Sequence, residues 1–149
     1  MKINEILESV KSGKISTITA KKLLTLYSIE EVENFAKIDI NRSKRRGVPE
    51  VIFAESKELE DTKKIIKKTL EKTNSVIVSR IKKEDYKKII LFAKKLKVKI
   101  ETGKNSSSVL LFKKPIKFEG GKIGIMTAGT SDIGVGEEAR LMCEAMNCQ

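Results

Sequence analysis

Apolar residues recur at helical spacing from the first turn onward. Ile3, Ile6, Leu7 and Val10 share one side and Gly13 supplies a stop, which predicts a helix over 2–12. A second helix over 19–27 offers Leu23, Leu24 and Tyr27, so the chain is expected to open on a helical pair at about 2–28. Phe35-Ala36-Lys37-Ile38-Asp39 and Pro49-Glu50-Val51-Ile52-Phe53-Ala54 then read as strands on either side of a basic loop. Leu59, Ile65, Ile66 and Leu70 predict a helix over 58–72, with Glu58, Glu60 and Asp61 where the helix dipole favours acids. Val76, Ile77 and Val78 make 75–79 a short β-branched strand of the buried kind.

A helix over 82–97 aligns Tyr86, Ile89, Ile90, Ala93 and Leu96, and short strands follow at 98–101 and 109–112 around a polar loop, 103–108. Strands alternating with helices imply a mostly parallel sheet. Residues 122–126 read as one more apolar strand, leading through a small-residue loop at 127–132 into a helix over 135–146. The fold class is α/β. No segment repeats at a period of about 20 to 50 residues, which sets aside a solenoid.

Composition sharpens this picture. The chain has 149 residues, 40% hydrophobic and 34% charged, too apolar for a disordered tail. No apolar run approaches the roughly 20 residues that cross a bilayer. The first turns carry acid and no small-residue cleavage site, so the expectation is a cytoplasmic protein with no membrane partner. The net charge is +11, yet residues 120–149 carry −2, leaving +13 on residues 1–119. Pro115 and the Gly120-Gly121 pair fall at the same place. The expected domains are therefore 1–118 and 119–149.

Histidine is absent, which excludes a Ser-His-Asp triad or a Cys-His dyad built from this chain alone. The two cysteines, Cys143 and Cys148, are read as reduced residues of the last helix and the terminus, with no catalytic or metal role. Lysine-rich helices raise the nucleic-acid question, but interleaved acids and about 5% aromatic content argue against that partner.

Two motifs remain. The loop formed by Thr127, Ala128, Gly129, Thr130, Ser131 and Asp132 lets backbone amides approach a ligand closely, and the following helix aims its N-terminal N–H groups at the same point. Phosphate or carboxylate binding and a plain helix cap by Ser131 or Asp132 are both compatible with that pattern. It lacks the Gly-Lys-Ser/Thr ending of a Walker loop and the three-glycine dinucleotide spacing. In Arg42-Ser43-Lys44-Arg45-Arg46-Gly47-Val48-Pro49-Glu50, a cluster of cations suited to oxyanions competes with a solvated charge run.

Taken together, Phe35-Ala36-Lys37-Ile38-Asp39, the segment from Arg42 through Phe53, and Gly124-Ile125-Met126-Thr127-Ala128-Gly129-Thr130-Ser131-Asp132-Ile133 with Glu137-Glu138-Ala139 resemble the LarB family of nickel-pincer cofactor biosynthesis, which is related to the aminoimidazole ribonucleotide carboxylase PurE. The resemblance runs over nearly the whole chain in order. It implies a small N-terminal helical segment and α/β domain, followed by the first strand, loop and helix of a PurE-like doubly wound domain.

The implied activity is carboxylation of the pyridinium ring of nicotinic acid adenine dinucleotide and hydrolysis of its phosphoanhydride, releasing AMP and pyridinium-3,5-biscarboxylic acid mononucleotide. Carbon dioxide or bicarbonate is the implied co-substrate, no cofactor is bound covalently, and Mg2+ is a candidate for the whole enzyme. The family's nucleophilic cysteine, which adds transiently to the ring, is expected beyond Gln149, so this stretch alone is expected to be inactive. By position, Thr127, Gly129, Thr130, Ser131 and Asp132 match the loop that holds the phosphoribosyl part of a nucleotide, and Arg42, Arg45, Gly47 and Glu50 match the N-terminal motif that grips the dinucleotide or frames the site. A homo-oligomer assembled through the PurE-like domain is implied. Gly134 and Gly136 stand where Pro and Ala are expected, and Asn41 replaces a commonly basic or His position. The alternatives are a phosphoribosylaminoimidazole carboxylase or mutase, and a basic nucleic-acid or partner-binding module without catalysis.

Overall fold

The computed structural model describes residues 3–26, 29–32, 36–39 and 48–149. Two compact units divide the chain, Met1–Asn41 and Arg42–Gln149. In the first, helices α1 (Ile3–Lys11) and α2 (Thr17–Leu26) pack together, and strands β1 (Ile29–Val32) and β2 (Ala36–Asp39) form an antiparallel pair. Ile6 and Ala20 are buried on the two helices, whereas Leu7 points outward. Ser16 starts α2, its hydroxyl accepting the Thr19 N–H at 3.1 Å. The β1 strand escapes the periodicity argument because Glu30 and Glu31 interrupt its apolar residues.

The second unit is built on a four-stranded sheet in the order β3-β4-β6-β5, from Val51–Phe53, Ser75–Ser79, Val109–Phe112 and Lys99–Thr102 respectively. Helix α3 (Leu59–Lys72) connects β3 to β4 and helix α4 (Lys83–Lys95) connects β4 to β5. The α/β class holds, and the strands entered from helices run in one direction. Within the sheet β3–β4 is parallel while β4–β6 and β6–β5 are antiparallel, so β3, β4 and β5 run one way and β6 the other. The hairpin from β5, closed by the 103–108 loop, returns β6 into the sheet between β5 and β4, a placement that hydrophobic periodicity does not encode.

Strand alternation assigns the two faces. Val76, Val78, Val109 and Leu111 are buried on the face where α3 and α4 pack, together with Ile65, Ile66, Leu70, Ile89 and Ala93. Ile77, Leu110 and Phe112 face the other way and cluster with Leu141 of helix α5 (Ile133–Ala145), supported by Val51, Met142 and Ala145. Because α5 lies on the sheet, the compact unit runs through the Gly120-Gly121 pair at which composition changes. Helix α5 ends in a Schellman motif: Asn147 adopts φ 63°, its N–H donates to the Glu144 carbonyl, and the Cys148 N–H donates to the Cys143 carbonyl.

Residues 122–126, expected as a strand, have no strand partner among the described residues. Backbone bonds tie the start of this stretch to the C-terminus: Gly120 N–H to the Asn147 carbonyl, Gln149 N–H to the Gly121 carbonyl and Ile123 N–H to the Gln149 carbonyl. A lone extended segment has no ladder to close, and Ile123, Ile125 and Met126 remain exposed. Among the described residues no helix is long and apolar enough to cross a membrane.

Candidate functional site

Three segments meet at the edge of the sheet where β4 ends: the Ser79-Arg80 corner, the β5–β6 loop, and the first turns of α5. Parity places Ser79 and Ser108 on the α5 face, both fully buried. Between them lies Glu138. The Ser79 hydroxyl donates to Glu138 Oε1 at 2.6 Å and the Ser108 hydroxyl to Oε2 at 2.8 Å, so each carboxylate oxygen has its own donor. Glu138 belongs to the Glu137-Glu138-Ala139 motif, yet nothing local in the sequence assigns it this position. Its partners lie 59 and 30 residues away.

Arg80 follows in the left-handed region at φ 54°, turning its side chain to Glu55 at 2.6 Å and over the Phe53 ring at 5.3 Å. The hydrogen bond to Glu55, and then the charge of that carboxylate, hold the Arg80 guanidinium above its ordinary pKa, with a further push from Glu138. Arg140 works similarly on α5. Burial opposes its charge, but hydrogen bonds to Glu137 at 3.0 Å and Glu144 at 2.5 Å prevail and raise it. Its remaining nitrogen donates to the Thr102 carbonyl at 3.0 Å, tying α5 to the end of β5.

Two glycines make this approach possible. A Cβ on Gly134 would stand 2.5 Å from the Asn105 carbonyl oxygen, and one on Gly136 would stand 2.7 Å from the Thr127 methyl. Helix propensity alone marks both as loosening the first turn by about 1 kcal/mol each. Contact geometry gives them a reason to be there.

The 127–132 turn opens α5 with all six residues exposed. Asp132 sits at the cap position with φ −89° and ψ −10° and makes no side-chain cap bond. Ser131 instead donates its hydroxyl to Asp132 Oδ1 at 3.1 Å, and the Asp132 N–H closes the turn on the Gly129 carbonyl. Thr127, Gly129, Thr130, Ser131 and Asp132 are thus gathered in one turn beside an open groove of about 340 Å3 shared with Met126 and Ala139. Glu50 is elsewhere: it precedes β3, where its carbonyl accepts the Ile77 N–H, at the opposite end of the strands from Ser79. Arg42, Arg45 and Gly47 lie outside the described residues.

The sheet, its covering helices and the turn at the start of α5 define an α/β protein consistent with a PurE-like fold. Residues 29–104, just over half of the chain, match the family described as LarB/PurE-like N-terminal domain. The chain belongs to the LarB family. It is also 34% identical over 151 aligned residues to the uncharacterized protein MJ0165 of Methanocaldococcus jannaschii. That match takes in 99% of this chain and 58% of the relative, so the chain spans somewhat more than half of the relative's length.

Proposed function

We propose that the chain is the N-terminal part of a carboxylase and hydrolase that adds CO2 to the pyridinium ring of nicotinic acid adenine dinucleotide and cleaves its phosphoanhydride, releasing AMP and pyridinium-3,5-biscarboxylic acid mononucleotide. Family membership supports the carboxylase-related class. The observation that carries the nucleotide reading is the start of α5, where no side chain caps the helix and small residues precede it. A phosphate seated there receives first-turn N–H groups and the positive end of the dipole. Thr130 adds a hydroxyl donor beside it.

Carbon–carbon bond formation requires the electron-poor ring to become a nucleophile, which a thiolate achieves by adding to it and leaving after carboxylation. We place that thiolate in the additional length that the relative possesses, rather than at Cys143 or Cys148. Calorimetric titration of the chain with nicotinic acid adenine dinucleotide, against aminoimidazole ribonucleotide, tests the binding half of this reading. The dinucleotide is expected to bind and Thr130→Ala with Ser131→Ala to weaken it. Preference for the aminoimidazole selects a ribonucleotide carboxylase or mutase instead, and indifference to both removes the nucleotide assignment.

A further inference from the structure

A second recess shares no residue with the 127–132 turn. It measures about 520 Å3, within the range of small-ligand sites, and opens between the first turns of α4 and the β5–β6 loop. Lys83, Tyr86 and Lys87 line one wall, Asn105, Ser106 and Ser107 the other, and buried Ile81 lies between them.

The two walls set cations and a ring against polar loop groups. Lys88 is neutralised by Asp85 at 2.9 Å and Lys63 by Glu60 at 2.7 Å, while Lys82 spends its ammonium on the Lys57 carbonyl. Lys83 and Lys87 have no such partner among the described residues. They stand one helical turn apart with Tyr86 between them in sequence, so two positive charges flank one half-buried ring. They sit at the start of a helix that no side chain caps, in a turn that also carries Glu84 and Asp85, the latter engaged by Lys88.

The facing wall is already fixed. Ile81 N–H donates to the Ser107 carbonyl at 2.9 Å, Ser106 N–H to the Gly103 carbonyl at 3.3 Å, and Ser108 N–H to the Ser106 hydroxyl at 3.1 Å. Asn105, at φ 55°, has its carbonyl pressed against Gly134 of α5. A ligand entering this recess therefore meets a loop that needs little ordering, which lowers the entropic cost of binding.

We propose that this groove binds a nucleoside monophosphate, with Lys83 and Lys87 holding the phosphate, Tyr86 against the base, and Asn105 and Ser107 offering polar groups to the base or ribose. Two paired cations alone suit inorganic phosphate. The ring, the apolar Ile81 and the amide of Asn105 extend the match to a planar heterocycle. The inference does not rest on the carboxylase reading.

The test is residue-resolved NMR titration of the whole chain with AMP, with adenosine, inorganic phosphate and a short oligoribonucleotide as separate arms. Amide shifts are expected at 81–87 and 103–108, with adenosine and phosphate each weaker than AMP by about tenfold or more. Lys83→Gln with Lys87→Gln, both exposed and spared by the fold, is expected to weaken AMP by about tenfold or more, and Tyr86→Ala to weaken it while Tyr86→Phe does not. Shifts confined to 127–132, no shift at millimolar AMP, or affinity unchanged in the double lysine variant would overturn the proposal. An oligoribonucleotide that binds more tightly than AMP through the same lysines would overturn it in favour of a nucleic-acid site.

Discussion

The Ser79 hydroxyl donates a 2.6 Å hydrogen bond to Glu138, joining the last residue of β4 to α5 across 59 positions of sequence. With the second bond from Ser108, it fixes where along the sheet the helix sits. The bonds place the first turn of α5 beside the β5–β6 loop, and so determine where the 127–132 turn is presented.

Glu138→Ala leaves two buried hydroxyls unsatisfied. The expected loss is about 1–3 kcal/mol of unfolding free energy per abandoned group, read from the urea midpoint with an unchanged slope. Glu138→Gln keeps one acceptor oxygen and puts an NH2 donor in place of the other, toward which the facing hydroxyl can turn a lone pair, and is expected to lose less. If Glu138→Ala unfolds at the wild-type midpoint, the two serine bonds do not hold α5 in solution.

Gly134 and Gly13 separate two reasons for glycine. A side chain at Gly134 meets the Asn105 carbonyl at 2.5 Å, whereas Gly13 has open space and a φ of +72°. Gly134→Ala gains about 1 kcal/mol of helix propensity but must push backbone apart, and overpacking costs typically about 1–3 kcal/mol. Net destabilisation is expected there. At Gly13 the cost of Ala is the left-handed backbone alone, about 1–2 kcal/mol. A Gly134→Ala variant that melts higher than wild type rules out the close approach.

Sequence pattern and structure agree where one face of one element decides the outcome. The 75–79 strand, the α3 stripe of Ile65, Ile66 and Leu70, and the α4 residues Ile89 and Ala93 were legible because burial alone sets their spacing. Pairing was not. Nothing in Val109 to Phe112 says that the strand inserts between β4 and β5, and nothing in 122–126 says that an apolar run will lack a partner. The 127–132 turn was visible as chemistry, but Glu138 was not, since a carboxylate satisfied by distant serines has no local pattern. Nor did Gly134 and Gly136 advertise their role, which depends on backbone brought in from residues 105 and 127.

Leu141 tests the seating of α5 independently of the polar bonds. It is fully buried among Ile77, Leu110 and Phe112. Leu141→Ala is expected to cost about 2–5 kcal/mol, the transfer term plus the cavity. Amide exchange of Leu110 and Phe112 should accelerate with it. A cost below about 1 kcal/mol shows that α5 does not cover this face in solution.

Tyr86 carries a pH dependence whose sign is fixed. Burial raises its phenol pKa, so the folded chain keeps a proton that the unfolded chain gives up first. Its contribution to stability is complete below the unfolded value of about 10 and is lost as pH rises through the higher folded value. The sequence has two tyrosines, so Tyr27→Phe leaves a single phenol to follow by ultraviolet titration. In that background the phenolate is expected to form at higher pH in the native chain than in urea. Tyr86→Phe, compared with wild type, should flatten the alkaline decline in urea midpoint while leaving the neutral value nearly unchanged. Coincident native and denatured titrations would show that the ring is as solvated as a free tyrosine. The wall assigned to it in the α4 groove would then be absent, even if the lysines on either side still attracted phosphate.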